Sequence, residues 1–240
     1  MKSSILQDII CAKQNQKKLL AILLDPDKLD LLEIQNTVEK INNSHADYIF
    51  IGGSTVAAGL TEECVLQIKM HTKIPIVIFP GDHSQITKKA DALLFLSLVS
   101  GRNPEYLIEQ QIKSVPYLIK NPMEIIPTGY LLIDGGTHTS TQKVSNTEPI
   151  AQTEIELIAD TSLAAEYQGK QLIYLEAGSG AKTPVKKEII QSVSKNCNIP
   201  IIVGGGLRDK KSIATAFESG ADLVVIGTAF EKNSNILRTL

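Results

Sequence analysis

Cysteine is scarce in this chain: Cys11, Cys64 and Cys197 are its three, and they lie far apart. An odd, scattered set without a Cys-x-x-Cys pair argues against a disulfide framework and against a cysteine-built zinc site. They read as small core or surface thiols of a reducing cytosol. Charge of one sign is lacking too. The 24 basic and 26 acidic residues leave a formal net charge of −2, which excludes a general nucleic-acid binder. Any affinity for an anion must therefore come from a local site. No apolar run approaches the roughly 20 residues of a membrane span. The opening Met1-Lys2-Ser3-Ser4-Ile5-Leu6-Gln7-Asp8 lacks the unbroken apolar core of a signal peptide. A cytoplasmic protein without a membrane span is expected, and a lipidic substrate would have to be met from the water side. Histidine is sparse as well: His45, His71, His83 and His138 share no ligand spacing.

What is present is a repeated alternation. Short apolar runs, rich in Ile, Val, Leu and aromatics, lie at Leu19–Leu24, Tyr48–Ile51, Ile76–Phe79, Leu93–Leu98, Ile125–Ile133, Leu172–Leu175, Ile201–Val203 and Leu223–Ile226. They do not alternate with polar residues, the pattern of parallel strands covered on both faces. Helical patterns separate most of them, at Leu31–Ile41, Val56–His71, Pro104–Ile119, Ile150–Tyr167, Pro184–Asn196 and Lys210–Ser219. Pro104, Pro149 and Pro184 are expected in first helical turns. About eight such units in 240 residues predict an α/β fold, a (β/α)8 TIM barrel, with residues 1–240 as one domain. Two departures stand out. Asp82–Ala90, after the third strand, is too short for a full helix, so an irregular or shortened crossover is expected. Gly135–Pro149 is long, polar and threonine-rich, and reads as a structureless loop with either a functional or a passive role.

The residues with chemistry gather at strand ends. Val203-Gly204-Gly205-Gly206 and Ile226-Gly227-Thr228 follow the seventh and eighth strands. Glycines there let backbone N–H groups approach an anion, and barrels often place a phosphate site at these two loops. Arg208 either adds charge or caps a helix start. The sixth strand ends Tyr174-Leu175-Glu176-Ala177-Gly178-Ser179-Gly180. Tyr174 and Glu176 share one face and Leu175 takes the other. On an inward face, Glu176 would be a buried carboxylate beside the phosphate loops, able to orient a hydroxyl or remove its proton; the alternative is a structural Glu bridging to a lysine. Gly178, Ser179 and Gly180 would add anion donors. Asp25, ending the first strand, and Ser54, after the second, offer carboxylate and hydroxyl oxygens on neighbouring strands, a pair suited to sharing Mg²⁺. Asp27 reads as a charge at a helix start.

Together these segments resemble the geranylgeranylglyceryl phosphate synthase family, a family of barrel prenyltransferases. The resemblance runs from about Leu23 to Phe230. It rests on Leu-Leu-Asp-Pro-Asp-Lys at 23–28, Ile-Gly-Gly-Ser-Thr at 51–55, Phe-Pro-Gly at 79–81 and Ser-Leu-Val-Ser-Gly-Arg-Asn-Pro at 97–104. Pro-Thr-Gly-Tyr-Leu-Leu at 127–132, Tyr-Leu-Glu-Ala-Gly-Ser-Gly-Ala at 174–181, Gly-Gly-Gly-Leu-Arg at 204–208 and Ile-Gly-Thr at 226–228 complete it. The glycine motifs alone are shared by many barrels; their combination with Leu-Asp-Pro-Asp-Lys, Ser-Gly-Arg-Asn-Pro and Tyr-Leu-Glu is specific. The resemblance implies Mg²⁺-assisted transfer of a geranylgeranyl group from geranylgeranyl diphosphate to sn-glycerol 1-phosphate, giving an ether-lipid precursor. It implies that Asp25 and Ser54 bind Mg²⁺. It also implies that Tyr174, Leu175, Glu176, Ala177, Gly178, Ser179, Gly180, Gly205, Gly206, Gly227 and Thr228 bind glycerol phosphate. Glu176 would act as base on the attacking hydroxyl and Tyr174 would shield the developing allylic cation with its ring. The prenyl tail is expected along Ile78–Pro80, Leu96–Ser100 and Thr128–Leu132. No Asp-Asp-x-x-Asp motif of helical prenyl synthases is present. Homologous barrels usually self-associate, so a homo-oligomer is expected. Two other readings stay open: an isomerase, lyase or aldolase acting on a sugar phosphate, and a non-catalytic phosphometabolite-binding barrel. No lysine ends strands four to eight to serve an aldolase.

Overall fold

The computed structural model describes residues 4–232. Eight parallel strands close into a barrel in chain order: β1 (Leu19–Leu24), β2 (Tyr48–Ile51), β3 (Ile76–Ile78), β4 (Ala92–Leu98), β5 (Glu124–Leu132), β6 (Leu172–Glu176), β7 (Ile201–Gly204) and β8 (Leu223–Ile226). β8 returns to β1 through Ala21 opposite Val225. The strands match the apolar runs to within a residue or so, because a strand buried on both faces has to be apolar throughout.

Inward and outward residues alternate. Leu19 and Ala21 of β1, Tyr48 and Phe50 of β2, Leu94 of β4, Ile126 and Tyr130 of β5 and Leu172 and Tyr174 of β6 fill the interior. Their neighbours Ile22, Ile49, Leu131, Ile173 and Leu175 pack outward under the helices. That outer ring comprises α2 (Ile34–Asn42), α3 (Leu60–Lys69), α4 (Gln110–Lys120), α6 (Ile155–Tyr167), α7 (Lys187–Asn196) and α8 (Lys210–Glu218). A short α9 (Thr228–Lys232) follows β8. A π-helical turn, Glu105–Glu109, leads into α4 with Pro104 just ahead of it. Pro149 and Pro184 lie upstream of helices that begin at Ile155 and Lys187, so neither occupies a first turn.

Two elements were not anticipated. α1 (Ile5–Gln14) lies across the N-terminal ends of the strands, where its Ile5, Ile9 and Ala12 join the interior cluster. Glu124 at the start of β5 fixes it, accepting from the Ile5 and Leu6 amides at 2.8 Å each. The segment 135–149 is not structureless: it contains α5 (Ser140–Ser145), whose first turn is capped by Thr139 accepting from the Gln142 amide at 3.1 Å. The crossover after β3 is the short one expected, a single 3-10 turn at His83–Gln85.

Candidate active site

One cavity of about 1120 Å³ opens at the C-terminal ends of the strands. Glu176, Ser179, Gly205, Gly206, Gly227 and Thr228 line its polar end, Asp25 and Ser54 its side wall, and Phe79, Leu94, Phe95, Leu96 and Tyr106 its apolar end. The order follows from the barrel: β6 to β8 supply phosphate-type loops, β1 and β2 come next around the circle, and β3 and β4 complete the far side.

Tyr174 and Glu176 point inward from β6, in register with Ile202 and Gly204 of β7. Gly204 makes their positions possible. A Cβ there would stand 2.5 Å from the Tyr174 hydroxyl and 2.6 Å from Glu176 Oε2. Three consecutive glycines therefore serve two purposes: the first gives room to Tyr174 and Glu176, and the next two shape the loop. Glu176 is 7% exposed and has no ion-pair partner among the described residues, so it is not a structural bridge to lysine. Its Oε1 accepts the Gly178 N–H at 2.6 Å. Burial raises its pKa to about 7, against the lowering effect of the Gly178 amide and the neighbouring Tyr174 hydroxyl. The Tyr174 hydroxyl is buried without a well-formed hydrogen bond, and burial together with the Glu176 charge keeps it strongly protonated.

Gly178, Gly180, Gly205 and Gly206 have φ of +98°, +73°, +79° and +72°, backbone that L side chains avoid. The Gly178 amide is committed to Glu176, and the Ala177 amide donates to the Gly204 carbonyl at 3.1 Å. Those two groups shape the site instead of facing an anion. Leu175 and Ala177 point into the barrel–helix layer and do not line the cavity. Ser179 Oγ lies 3.1 Å from Thr228 Oγ1, joining the loops after β6 and β8. Thr228 opens α9, where the Phe230 and Glu231 amides donate to the Gly227 carbonyl at 2.9 and 3.1 Å and the Thr228 and Ala229 amides head the helix. Arg208 donates to the Gly180 and Ala181 carbonyls and clips the β6 loop to the β7 loop.

On the side wall, Asp25 Oδ2 pairs with Lys28 Nζ at 2.9 Å, and Oδ1 accepts the Asp27 amide at 3.3 Å. Asp27 lies in that same 3-10 turn, Pro26–Lys28, and its own Oδ1 accepts the Ala57 amide at 3.2 Å. A Cβ on Gly53 would come within 2.6 Å of Asp25 Oδ1, so the carboxylate rests against the backbone that carries Ser54. Ser54 Oγ is 3.5 Å from Thr141 Oγ1 of α5. No group of three or more His, Cys, Asp or Glu side chains suited to a metal occurs among the described residues. One carboxylate beside one hydroxyl is a donor set for a cation that takes its other ligands from water and substrate phosphate, which fits Mg²⁺.

The apolar end is floored by three rings. Phe79 stacks on Tyr174 at 5.0 Å between centroids, and Tyr130 meets Tyr174 edge-on at 5.4 Å. Of the residues expected along the tail, Phe79, Pro80, Leu96, Leu98 and Tyr130 line the cavity. Ile78 and Leu131 face the helices instead, Leu132 fills the interior, and the Thr128 hydroxyl donates to the Ile126 carbonyl. Leu93 and Phe95 were not expected. They lie on the helix-facing side of β4 and, with only a single 3-10 turn after β3, reach the cavity wall, Leu93 fully buried and Phe95 half-buried. α5 crosses above, contributing Ser140, Thr141 and Val144.

The family model described as the PcrB family matches residues 13–240. The chain belongs to the PcrB family. Two relatives named geranylgeranylglyceryl phosphate synthase are close: one from Flavobacterium johnsoniae, 53% identical over 97% of this chain and 96% of its own length, and one from Zunongwangia profunda, 54% identical over 95% and 97%. The crystal structure of (S)-3-O-geranylgeranylglyceryl phosphate synthase from Thermoplasma acidophilum, in complex with sn-glycerol-1-phosphate, superposes with a TM-score of 0.92 at 31% identity. It covers 99% of this chain and 95% of that one. The barrel is thus shared with a solved structure, and the relatives carry the name that the motifs at strands one, four and six suggested.

Proposed function

We propose that this protein joins the C3 hydroxyl of sn-glycerol 1-phosphate to a geranylgeranyl group from geranylgeranyl diphosphate, making the ether bond of a phospholipid precursor. The observation that carries this reading is a single cavity with a buried, cation-free carboxylate between a glycine-lined polar end and an apolar end. The names of the relatives, and the glycerol phosphate bound in the Thermoplasma enzyme, support it.

In this reading the loops after β6, β7 and β8 bind the phosphate of glycerol phosphate through Ser179, Gly205, Gly206, Gly227 and Thr228. Glu176 accepts a hydrogen bond from the C3 hydroxyl. Its raised pKa makes it a base effective near neutral pH. As the bond from the C3 oxygen to the prenyl carbon forms, the bond from that carbon to diphosphate breaks and the hydroxyl proton passes to Glu176. The allylic carbon would gain its positive character against the rings of Phe79, Tyr130 and Tyr174, which pack on one another. Asp25 and Ser54 would hold Mg²⁺, which neutralises the departing diphosphate. Lys28, on the same wall, adds a positive charge.

The lysines that line the cavity, Lys28 and Lys210, lie outside the barrel interior. Lys170 is half-buried outside it, bonded to Ser97 Oγ at 2.7 Å. This disfavours a Schiff-base aldolase. The reading includes a homo-oligomer working in the cytoplasm and meeting its lipid donor from water; no helix among the described residues is long and apolar enough to cross a membrane. Incubation with glycerol 1-phosphate, Mg²⁺ and prenyl diphosphates of graded length, followed by mass analysis, tests the proposal. The expected product is the C20 ether, absent when EDTA replaces Mg²⁺. A preference for a C35 donor would overturn the prenyl assignment, and binding without turnover would favour a non-catalytic barrel.

A further inference from the structure

We infer that Gln85, outside the cavity, is the positioning residue of the diphosphate side. The inference rests on the function proposed above. Gln85 ends the 3-10 turn that replaces the helix after β3, and it is 2% exposed. Both ends of its amide are committed to neighbouring loops. Nε2 donates to the Gly53 carbonyl at 2.9 Å, and Oε1 accepts the Gly81 amide at 3.0 Å. One side chain thus ties the loop after β2 to the loop after β3.

Those two loops carry the side wall and part of the aromatic floor. Gly53 adjoins Ser54 in the chain and lies against the Asp25 carboxylate. On the other side of Gln85, the Gly81 backbone touches the Gly53 and Ser54 carbonyls so closely that a Cβ would stand 2.6 Å from Ser54 O. Phe79, two residues before Gly81, stacks on Tyr174. Gln85 is therefore the hydrogen-bonded link between the wall that faces diphosphate and the ring floor beside Glu176. The turn bearing it is held in turn by Asp82, whose Oδ1 accepts the Ser84 amide at 2.7 Å. Among the described residues no comparable link runs from Gln85 to the loops after β6, β7 and β8, so its effect should be confined to one substrate.

The test uses Gln85→Ala and the isosteric Gln85→Glu, which keeps an acceptor for Gly81 but loses the donor to Gly53. Calorimetry with inorganic diphosphate plus Mg²⁺ reads the side wall without turnover, and steady-state kinetics give KM for each substrate. Removing the clip leaves a half-buried amide and a half-buried carbonyl without their partner, so diphosphate affinity should fall about tenfold, with KM for glycerol 1-phosphate unchanged within about twofold. If the alanine variant does not fold, the glutamate variant decides. Unchanged diphosphate affinity in a folded variant, or equal weakening of both substrates, overturns the inference while leaving the proposed function intact. A native chain that neither binds diphosphate nor forms product sinks both.

Discussion

Glu176 is a carboxyl inside a barrel with no cation to pair with among the described residues, and both stability and activity should follow its protonation. Its folded pKa of about 7 lies above the ordinary 4.5. Between those values the folded chain keeps a proton that the unfolded chain releases. Stability therefore falls as pH rises through that window, by on the order of 3 kcal/mol once both states are ionised. Glu176→Gln removes the ionisation and keeps the shape. It should melt higher than the native chain at pH 8 and converge with it near pH 4.5. Its turnover should drop by on the order of 10²–10⁴-fold, the usual weight of a general base. A lower melting temperature at pH 8 with turnover preserved would instead make Glu176 a buttress. The glycines separate in the same way. Read along the chain, Gly205 and Gly227 looked equivalent, each following an apolar strand. In the structure Gly205 has φ +79°, and a Cβ there would collide with Glu176 Oε1. A Cβ on Gly227 would have the Leu23 side chain as its nearest described neighbour, at 3.6 Å. Gly205→Ala should thus lower both stability and turnover. Gly227→Ala should leave the melting temperature within a few degrees and weaken glycerol phosphate binding by about tenfold, because only the ligand needs that space. Equal melting losses in the two variants, by calorimetry, would contradict this separation.

Among the elements, what was legible depended on how much each owes to its own residues. β1, β2 and β8 coincide with the apolar runs because two-sided burial leaves no other composition open to them. α1 was also legible in principle: Ile5, Ile9 and Ala12 fall at helical spacing, but a reading of that stretch for targeting signals alone passes over it. α5 was not legible. Ser140-Thr141-Gln142-Lys143-Val144-Ser145 has weak helix propensity, and its shape comes from the Thr139 cap and from its neighbours. The Thr139 methyl packs where Gly178 has no side chain, Thr141 faces Ser54, and the Ser145 carbonyl accepts from Asn103 Nδ2 at 2.7 Å. α5 thereby spans the polar end, the side wall and the rim of the apolar end. Replacing residues 140–145 by a Gly/Ser linker should raise KM for both substrates and cut turnover by on the order of 10–10²-fold, since substrates would lose one wall of their alignment. The barrel strands pair with one another without this helix, so the melting temperature should change little. Full activity with the linker would reduce α5 to a passive surface loop, the other reading its sequence left open.

At the scale of the whole molecule, the polar end of the site was legible because β6, β7 and β8 each present it in one contiguous segment. The apolar end was only partly so: Leu93 and Phe95 join it because of a helix that is not there, and no local pattern around β4 announces that. The outer surface holds a feature of the same kind. Ile108, Ile112, Val115 and Ile119 are spaced four, three and four residues apart along the π turn and α4, and each is between 43% and 76% exposed. That spacing makes one stripe on one face of the helix. None of the four lines the cavity. A continuous aliphatic stripe on a water-exposed helix is the kind of surface that a second copy of this chain would cover in the proposed homo-oligomer. Two such stripes meeting about a two-fold axis would bury each other symmetrically. Light scattering of the native chain at micromolar concentration should therefore report a dimer or larger. Ile112→Lys combined with Ile119→Lys places charges in the middle of the stripe and should shift the mass to that of one chain. Turnover per chain should stay within about twofold, because the inner face of α4, with Gln111 and Ser114, is untouched. A native chain that is already monomeric, or a double variant that still self-associates, would show that the stripe does not join copies of this barrel.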